Sequence, residues 1–99
     1  SKEKADPNEL VAKYDRKNYN EEVESAQQML MASGYELPEY GADGYYGDET
    51  EGALKSFQED VGIKPTGKLT RETMEKLQEQ AQYWKDMDKQ MKAQFGDKW

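Results

Sequence analysis

Aromatic and acidic side chains are concentrated in one glycine-rich stretch of the sequence, GYELPEYGADGYYG at residues 34–47. Its tyrosines and the aspartate between them are Tyr35, Tyr40, Asp43, Tyr45 and Tyr46. A tyrosine ring can lie against the face of a sugar while its hydroxyl bonds to an amide or a carboxylate. The same tyrosines are equally consistent with packing in a half-buried loop. Asp43 is expected to accept a hydrogen bond from the backbone of its own turn, as Asx residues do.

The residue types that most enzyme chemistry needs are missing. The sequence has no histidine and no cysteine, so it lacks the commonest general base and the most reactive nucleophile. Paired carboxylates could in principle hydrolyse a glycoside. A small helical domain, however, offers no deep cleft that would hold a sugar and raise a carboxyl pKa. We therefore expect a noncatalytic protein.

The acids near the glycine turn do not form a metal-binding motif. Asp43, Asp48, Glu49 and Glu51 supply oxygens, but they lack the alternation and spacing of a calcium loop. The absence of cysteine excludes thiolate metal sites and disulfides. The sequence predicts neither a metal site nor a cofactor.

The net charge of −7 comes from one segment. Residues 36–60 contain eight acids and one base, Lys55, whereas the rest of the chain contains 13 of each. Such charge runs are usually solvated surface. A nucleic-acid partner is not expected, because binding to phosphate backbones needs clustered Lys and Arg. No apolar run is long enough to span a membrane, and no signal peptide is visible.

A short helix is predicted near the N-terminus, over residues 7–14. Asp6 and Pro7 suit its N-cap and its first helical position. Its apolar face consists of Leu10, Val11 and Tyr14.

A stronger helix is predicted over residues 20–33. Asn18 or Asn20 can cap it, and Asn18 has capping-box spacing to Glu21. Gly34 suits the position after its C-cap, where glycine takes a positive φ at little cost. The residues on one face of this helix are Val23, Ala26, Gln27 and Leu30.

Two further helices follow the glycine-rich loop. The first spans residues 48–61 and should bury Thr50, Ala53, Leu54, Phe57 and Val61. The second begins after Thr70 as N-cap, and Leu69 and Met74 have the spacing of a hydrophobic staple. Its apolar stripe continues until Gly96 offers a stop, which makes a helix of about 25 residues. The members of the stripe are Ala81, Trp84, Met87, Met91 and Phe95.

The two units after the loop repeat one pattern. The equivalent pairs are Gly44 and Gly67, Tyr46 and Leu69, Thr50 and Thr73, and Leu54 and Leu77. Each unit has a glycine turn, an apolar residue that closes the end of the core (the plug, Tyr46 or Leu69), the N-terminus of a helix, and a Thr and a Leu that face the core. Neither unit alone can bury its apolar face, but both can pack against the helix at residues 20–33. We expect an all-α protein, a compact three-helix bundle with a short N-terminal helix and an extended C-terminal helix.

The pattern V-x-x-A-Q-x-x-L…G-Y…D-G-Y-Y-G-x-x-T-x-x-A-L-x-x-F-Q…G-I…T-G-x-L-T-x-x-T-x-x-x-L runs from Val23 to Leu77. It resembles the peptidoglycan-binding domain family of small three-helix modules. These modules are attached to cell-wall hydrolases, phage lysins and other envelope proteins. The resemblance implies noncatalytic binding to the glycan or stem peptides of bacterial peptidoglycan. It further implies location in the cell envelope, in a secreted protein, or in a phage virion or lysis protein. We expect the module at residues 20–80, between an N-terminal extension (1–19) and a helical C-terminal extension (81–99).

The sequence departs from the family in three places. The loop after Tyr35 is long, Asp48 stands where proline is frequent, and the last helix continues past the module. Within this framework we expect Tyr35, Tyr40, Asp43, Tyr45 and Tyr46 to form a shallow peptidoglycan site. The acidic segment would repel peptidoglycan carboxylates and suit the amino group of a stem-peptide diamino acid or a basic protein.

The apolar stripe on the last helix has two interpretations. It can pack against the predicted N-terminal helix, which is the favoured one, since amphipathic helices bury their apolar side. Alternatively Trp84, Met87, Met91 and Phe95 bind a protein partner or a second copy. A protein-interaction or structural module of a phage or envelope assembly, with the fold but without glycan binding, is thus the alternative function.

Overall fold

The computed structural model describes residues 6–12 and 15–96, apart from the side chain of Phe95. The elements in chain order are strand β1 (Leu10–Ala12), helix α1 (Glu21–Ala32), helix α2 (Asp48–Asp60), strand β2 (Leu69–Thr70) and helix α3 (Arg71–Phe95). The three-helix architecture predicted from the sequence is confirmed. None of the described helices is long and apolar enough to cross a membrane.

Helix α1 begins and ends as the sequence indicates. Of the two possible caps, Asn20 is the one used, and its side chain accepts from the N–H groups of Glu22 and Val23. Asn18 instead donates to Asp15. At the other end, Gly34 has a φ of 95°, and the N–H of Tyr35 bonds back to the carbonyl of Leu30 at 2.9 Å. This Schellman arrangement satisfies the last carbonyls of the helix.

The core lies where the three helices meet. Leu30, Leu54, Phe57 and Leu77 are fully buried, and Tyr46 and Leu69 close the core as the two plugs of the repeat. Met74 lies beside them, 8% exposed. The predicted core is therefore confirmed, with Ala53 and Val61 half-buried at its edge.

The predicted helix at residues 7–14 is wrong in its described part. Asp6 forms a local turn, in which its side chain accepts from the N–H of Asn8 and its carbonyl accepts from the N–H of Glu9. Such local bonds compete with helix formation. The chain then continues as β1, which pairs antiparallel with β2 in the register Leu10 to Thr70. Tyr14 lies outside the described residues.

Tertiary bonds explain why the strand replaces the helix. The carbonyls of Pro7 and Glu9 accept from the N–H groups of Glu72 and Arg71, at 3.0 and 2.8 Å. These donors are in the first turn of α3, where a helix has no acceptors of its own. A helix of eight residues is marginal in isolation, so this pairing decides the conformation.

The described part of the N-terminal segment does not cover Trp84 on the α3 stripe. Leu10 is 44% exposed and Trp84 is 45% exposed, so the expected packing between them is not observed. Met87 and Met91 are half-buried. Helix α3 ends at Gly96, as predicted.

Candidate functional site

An open cleft of about 490 Å³ lies between the glycine-rich loop and the first turn of α2. It contains three of the predicted site residues, namely Tyr40, Asp43 and Tyr45. The remaining lining residues are Arg16, Glu39, Gly47, Asp48, Glu49 and Thr50. The loop that departs from the family pattern thus forms one wall of the cleft, and α2 forms the other.

The Tyr40 side of the cleft is fixed by Glu49. One carboxylate oxygen of Glu49 accepts from the N–H of Glu39 at 2.7 Å, and the other accepts from the N–H of Tyr40 at 3.1 Å. Because Glu49 lies in the first turn of α2, these two bonds fasten the loop to a rigid helix. The Tyr40 side chain is 68% exposed, so a ligand can reach its ring.

The Tyr45 side of the cleft is supported from behind by Tyr19. The two rings meet edge to face, with centroids 6.3 Å apart and planes at 74°. The hydroxyl of Tyr19 bonds to Glu24, and this bond is the main cause that raises the pKa of Tyr19. Tyr45 is 40% exposed. The Tyr45 ring is therefore in contact with Tyr19 and still has surface left for a ligand.

Beneath the cleft, the buried amide of Gln27 organises the turn. Its Oε1 accepts from the N–H of Gly44 at 2.8 Å. Its Nε2 donates to the Tyr45 carbonyl at 3.1 Å and to the hydroxyl of Thr50 at 2.8 Å. Asp43 accepts from the N–H of Tyr45 at 3.0 Å, which confirms the expected turn bond, and from Gln27 at 3.2 Å. Each polar group in this set is hydrogen-bonded to another member of the set, and these bonds hold the turn in its conformation.

The second unit repeats the same set around Gln58. Its Oε1 accepts from the N–H of Gly67 at 2.8 Å, and its Nε2 donates to the Lys68 carbonyl at 3.0 Å. Its Nε2 also donates to Thr73 at 2.9 Å and to Thr66 at 3.3 Å. Thr66 takes the place of Asp43. Gln27 and Gln58 are each 1% exposed.

Gln27 is predicted on an apolar helix face, but the partners of its amide are not identified in the sequence analysis. The signal that could have found both glutamines is their position. Each occupies a buried face directly after an apolar residue, Ala26 or Phe57, and each precedes a glycine turn and an inward threonine. Buried amides need partners, and the repeated glycine and threonine supply them.

The other two predicted site residues lie outside the cleft. Tyr46 is 2% exposed, and its hydroxyl donates to the carbonyl of Gly67, which joins the first unit to the second. Tyr35 packs edge-on against Phe57 and donates to Asp60. Burial, followed by the bond to Asp60 and the charge of Asp60, raises the pKa of Tyr35 to about 12.

The cleft has an acidic lining. Its charged residues are four carboxylates, from Glu39, Asp43, Asp48 and Glu49, and one guanidinium, from Arg16. Arg16 pairs with Asp48 at the surface, where such a pair contributes little to stability. In the part of the chain that the structure describes, no group of three or more acidic, histidine or cysteine side chains is arranged to hold a metal ion.

A family model and two known proteins match part of this chain. A family model described as "Putative peptidoglycan binding domain" matches residues 19–77, more than half of the chain. A "Probable N-acetylmuramoyl-L-alanine amidase" of Bacillus licheniformis is 53% identical over 45 residues. The N-acetylmuramoyl-L-alanine amidase CwlL of the same organism is 46% identical over 46 residues. Each match covers 46% of this chain but only 13% of the relative. No solved structure is significantly similar.

Proposed function

The chain belongs to the peptidoglycan binding domain family, and on this premise we propose that it attaches a cell-wall hydrolase, or another envelope or phage protein, to bacterial peptidoglycan. The observation that carries the proposal is the family match over residues 19–77. That range includes α1, α2, the beginning of α3 and all the residues that line the cleft except Arg16.

We assign binding, and no catalysis, to this chain. The similar amidases share with it a segment that is only 13% of their length, and the matched family is a binding domain. The sequence has no histidine or cysteine to act as base or nucleophile. In this proposal, any reaction on the cell wall is catalysed by the protein or domain to which the module is attached.

The binding surface in this proposal is the cleft that Tyr40 and Tyr45 help to line. Both rings are exposed; the backbone of Tyr40 is held by Glu49, and the ring of Tyr45 contacts that of Tyr19. Exposed tyrosine rings suit the face of a sugar or an acyl group of the stem peptide.

Sedimentation with insoluble peptidoglycan tests the proposal. Tyr40→Ala and Tyr45→Ala should each weaken binding about three- to tenfold, since each removes one aromatic contact. Tyr83→Ala is the matched control, because Tyr83 is a 51% exposed tyrosine on α3 and outside the cleft. Failure of the wild-type protein to sediment at low salt would refute wall binding. Equal losses in all three variants would refute the placement of the site.

A second function is favoured by the exposed aromatic pair on α3. The rings of Tyr83 and Trp84 contact each other edge to face at 5.2 Å and are 51% and 45% exposed. Together with Met87 and Met91 they offer a surface for a protein partner, as in a structural module of a phage virion or envelope assembly. Light scattering over a range of concentrations tests self-association. If the protein stays monomeric at all concentrations, with and without Trp84→Glu, self-association through this surface is excluded. The partner would then have to be a different protein.

A further inference from the structure

The charge of the cleft favours some chemical groups of peptidoglycan over others as ligands. The polymer carries sugars, carboxylates on its stem peptides, and free amino groups on those stem-peptide diamino acids that are not cross-linked. Building on the proposed function, we propose that the cleft takes the free ammonium group of an uncross-linked diamino acid in contact with Tyr40 and Tyr45. The module would then prefer peptidoglycan with few cross-links.

The lining argues against a carboxylate ligand. Four carboxylates and one guanidinium surround the cleft, and Arg16, the single base among them, is paired with Asp48. Glu39 is exposed at the same rim. A bound carboxylate would face net repulsion here, whereas an ammonium group would meet net attraction.

The N-terminus of α2 contributes a partial positive charge, which opposes the charge of the acids. The helix dipole gives it about half a unit of charge, and the N-cap Gly47 adds no side-chain hydrogen bond. However, Asp48, Glu49 and Glu51 lie in this first turn and more than offset it. The local balance therefore still favours a cation.

The aromatic rings, which also suit a sugar, add a second kind of contact for an ammonium group. Tyr40 and Tyr45 line the cleft and are 68% and 40% exposed. The face of an aromatic ring attracts an ammonium group and disfavours an anion. Carboxylates and exposed rings in one open cleft thus provide two kinds of contact that both suit an amine.

Chemical modification of the wall polymer tests the inference. Purified insoluble peptidoglycan is compared with the same material after acetylation of its free amines, and with material whose carboxylates have been amidated. We expect acetylation to weaken binding about tenfold and amidation to leave it unchanged or tighter. Equal binding to native and acetylated material would overturn the amine assignment while the proposed function stands. No binding to native material would instead refute the proposed function itself.

Charge variants give a second, directional test. Glu39→Gln should weaken binding about threefold and Arg16→Gln should tighten it, because the two changes move the cleft charge in opposite directions. Glu59→Gln is the matched control, since Glu59 lies near the end of α2, about 16 Å along the helix from Asp48. Weaker binding in both cleft variants, with all three proteins folded by circular dichroism, would contradict the inference.

Discussion

The hydroxyl of Tyr35 donates to Asp60 while the ring packs against Phe57, with centroids 5.6 Å apart. Burial and the neighbouring carboxylate raise the pKa of Tyr35 to about 12, above the value near 10 of an unfolded tyrosine. The folded state therefore keeps this proton at pH values where the unfolded state loses it. Stability from this group is complete below about pH 10 and is lost as the pH rises to about 12.

Tyr35→Phe isolates this effect. The variant keeps the ring contact with Phe57 and loses the bond to Asp60. The stability advantage of the wild type over Tyr35→Phe should shrink between about pH 10 and about pH 12. Urea unfolding followed by circular dichroism at several pH values measures it. Parallel pH curves for the two proteins would show that the hydroxyl has an ordinary pKa.

Gly44 and Gly67 are equivalent in the repeat but differ in their surroundings. Both have positive φ, 81° and 75°, a conformation that costs an L-residue about 1 kcal/mol or more. A Cβ at Gly44 would overlap the ring of Tyr19, whereas a Cβ at Gly67 would lie 2.7 Å from the flexible Cγ of Glu51. Tyr19 is itself held by its bond to Glu24.

We expect Gly44→Ala to destabilise the protein by about 3 kcal/mol and Gly67→Ala by about 1–2 kcal/mol. The difference arises because a ring must move in the first case and only a methylene group in the second. Thermal unfolding of both variants measures it. Tyr19→Ala combined with Gly44→Ala should recover part of the loss, and strict additivity of the two changes would contradict this explanation.

At the scale of the element, each glutamine joins one helix to the turn that precedes the next. Gln27 links α1 to the Gly44 turn and α2, and Gln58 links α2 to the Gly67 turn and α3. Both side chains are 1% exposed, so loss of either amide leaves a buried glycine N–H without its partner. Loss of Gln27 also removes the bond to the Thr50 hydroxyl, whereas Thr73 keeps its bond to the Thr70 hydroxyl when Gln58 is lost. An unsatisfied buried group costs about 1–3 kcal/mol.

Gln27→Met and Gln58→Met separate stability from binding. Each conserves volume and should cost about 2–4 kcal/mol in unfolding free energy. Only Gln27 holds the turn beneath the cleft, so only Gln27→Met should also weaken peptidoglycan binding under conditions where both variants are folded. Gln78→Met, an exposed position on α3, is the control for the substitution itself. Equal loss of binding in both buried variants would argue against the cleft.

The helices and the core were predictable because their signals are local. Asn20, Gly34, Thr70 and Gly96 mark the observed ends, and the spacing of apolar residues identifies the buried faces. The strand at Leu10–Ala12 was not predictable from local signals, because its partner Leu69–Thr70 is about 60 residues away. For the site, the tyrosine-rich loop was identifiable, but which rings face the cleft depends on Phe57, Asp60 and Gly67, whose proximity only the fold reveals.

The whole molecule is less compact than a typical domain of the same length. The radius of gyration is 14.8 Å, against about 13 Å for a compact domain of this length. Helix α3 has 25 residues and is about 37 Å long. The described core ends at Leu77, so the later turns of α3 project from it. The N-terminal segment, by contrast, contributes Ala12 to the core and caps α3.

Two truncations should therefore have unequal effects. Removal of residues 84–99 should change the unfolding free energy by less than about 1 kcal/mol, because the exposed turns bury little apolar surface. Removal of residues 1–12 should cost at least about 3 kcal/mol, since it deletes β1, Ala12 and the acceptors for the first turn of α3. Chemical denaturation of both fragments measures this. The reverse order would show that the distal part of α3 is covered in solution.

The two glutamine-centred units also differ in the length of chain between the amide and its glycine. Gln27 is 17 residues from Gly44, but Gln58 is only 9 residues from Gly67. The extra residues of the first connection carry Tyr40 and the amides held by Glu49, and the shorter connection shows that the scaffold closes without them. In the proposed function, recognition therefore resides in this longer connection, whereas the buried glutamines hold the fold. We expect that exchange of this one connection would alter the ligand and retain the three-helix core.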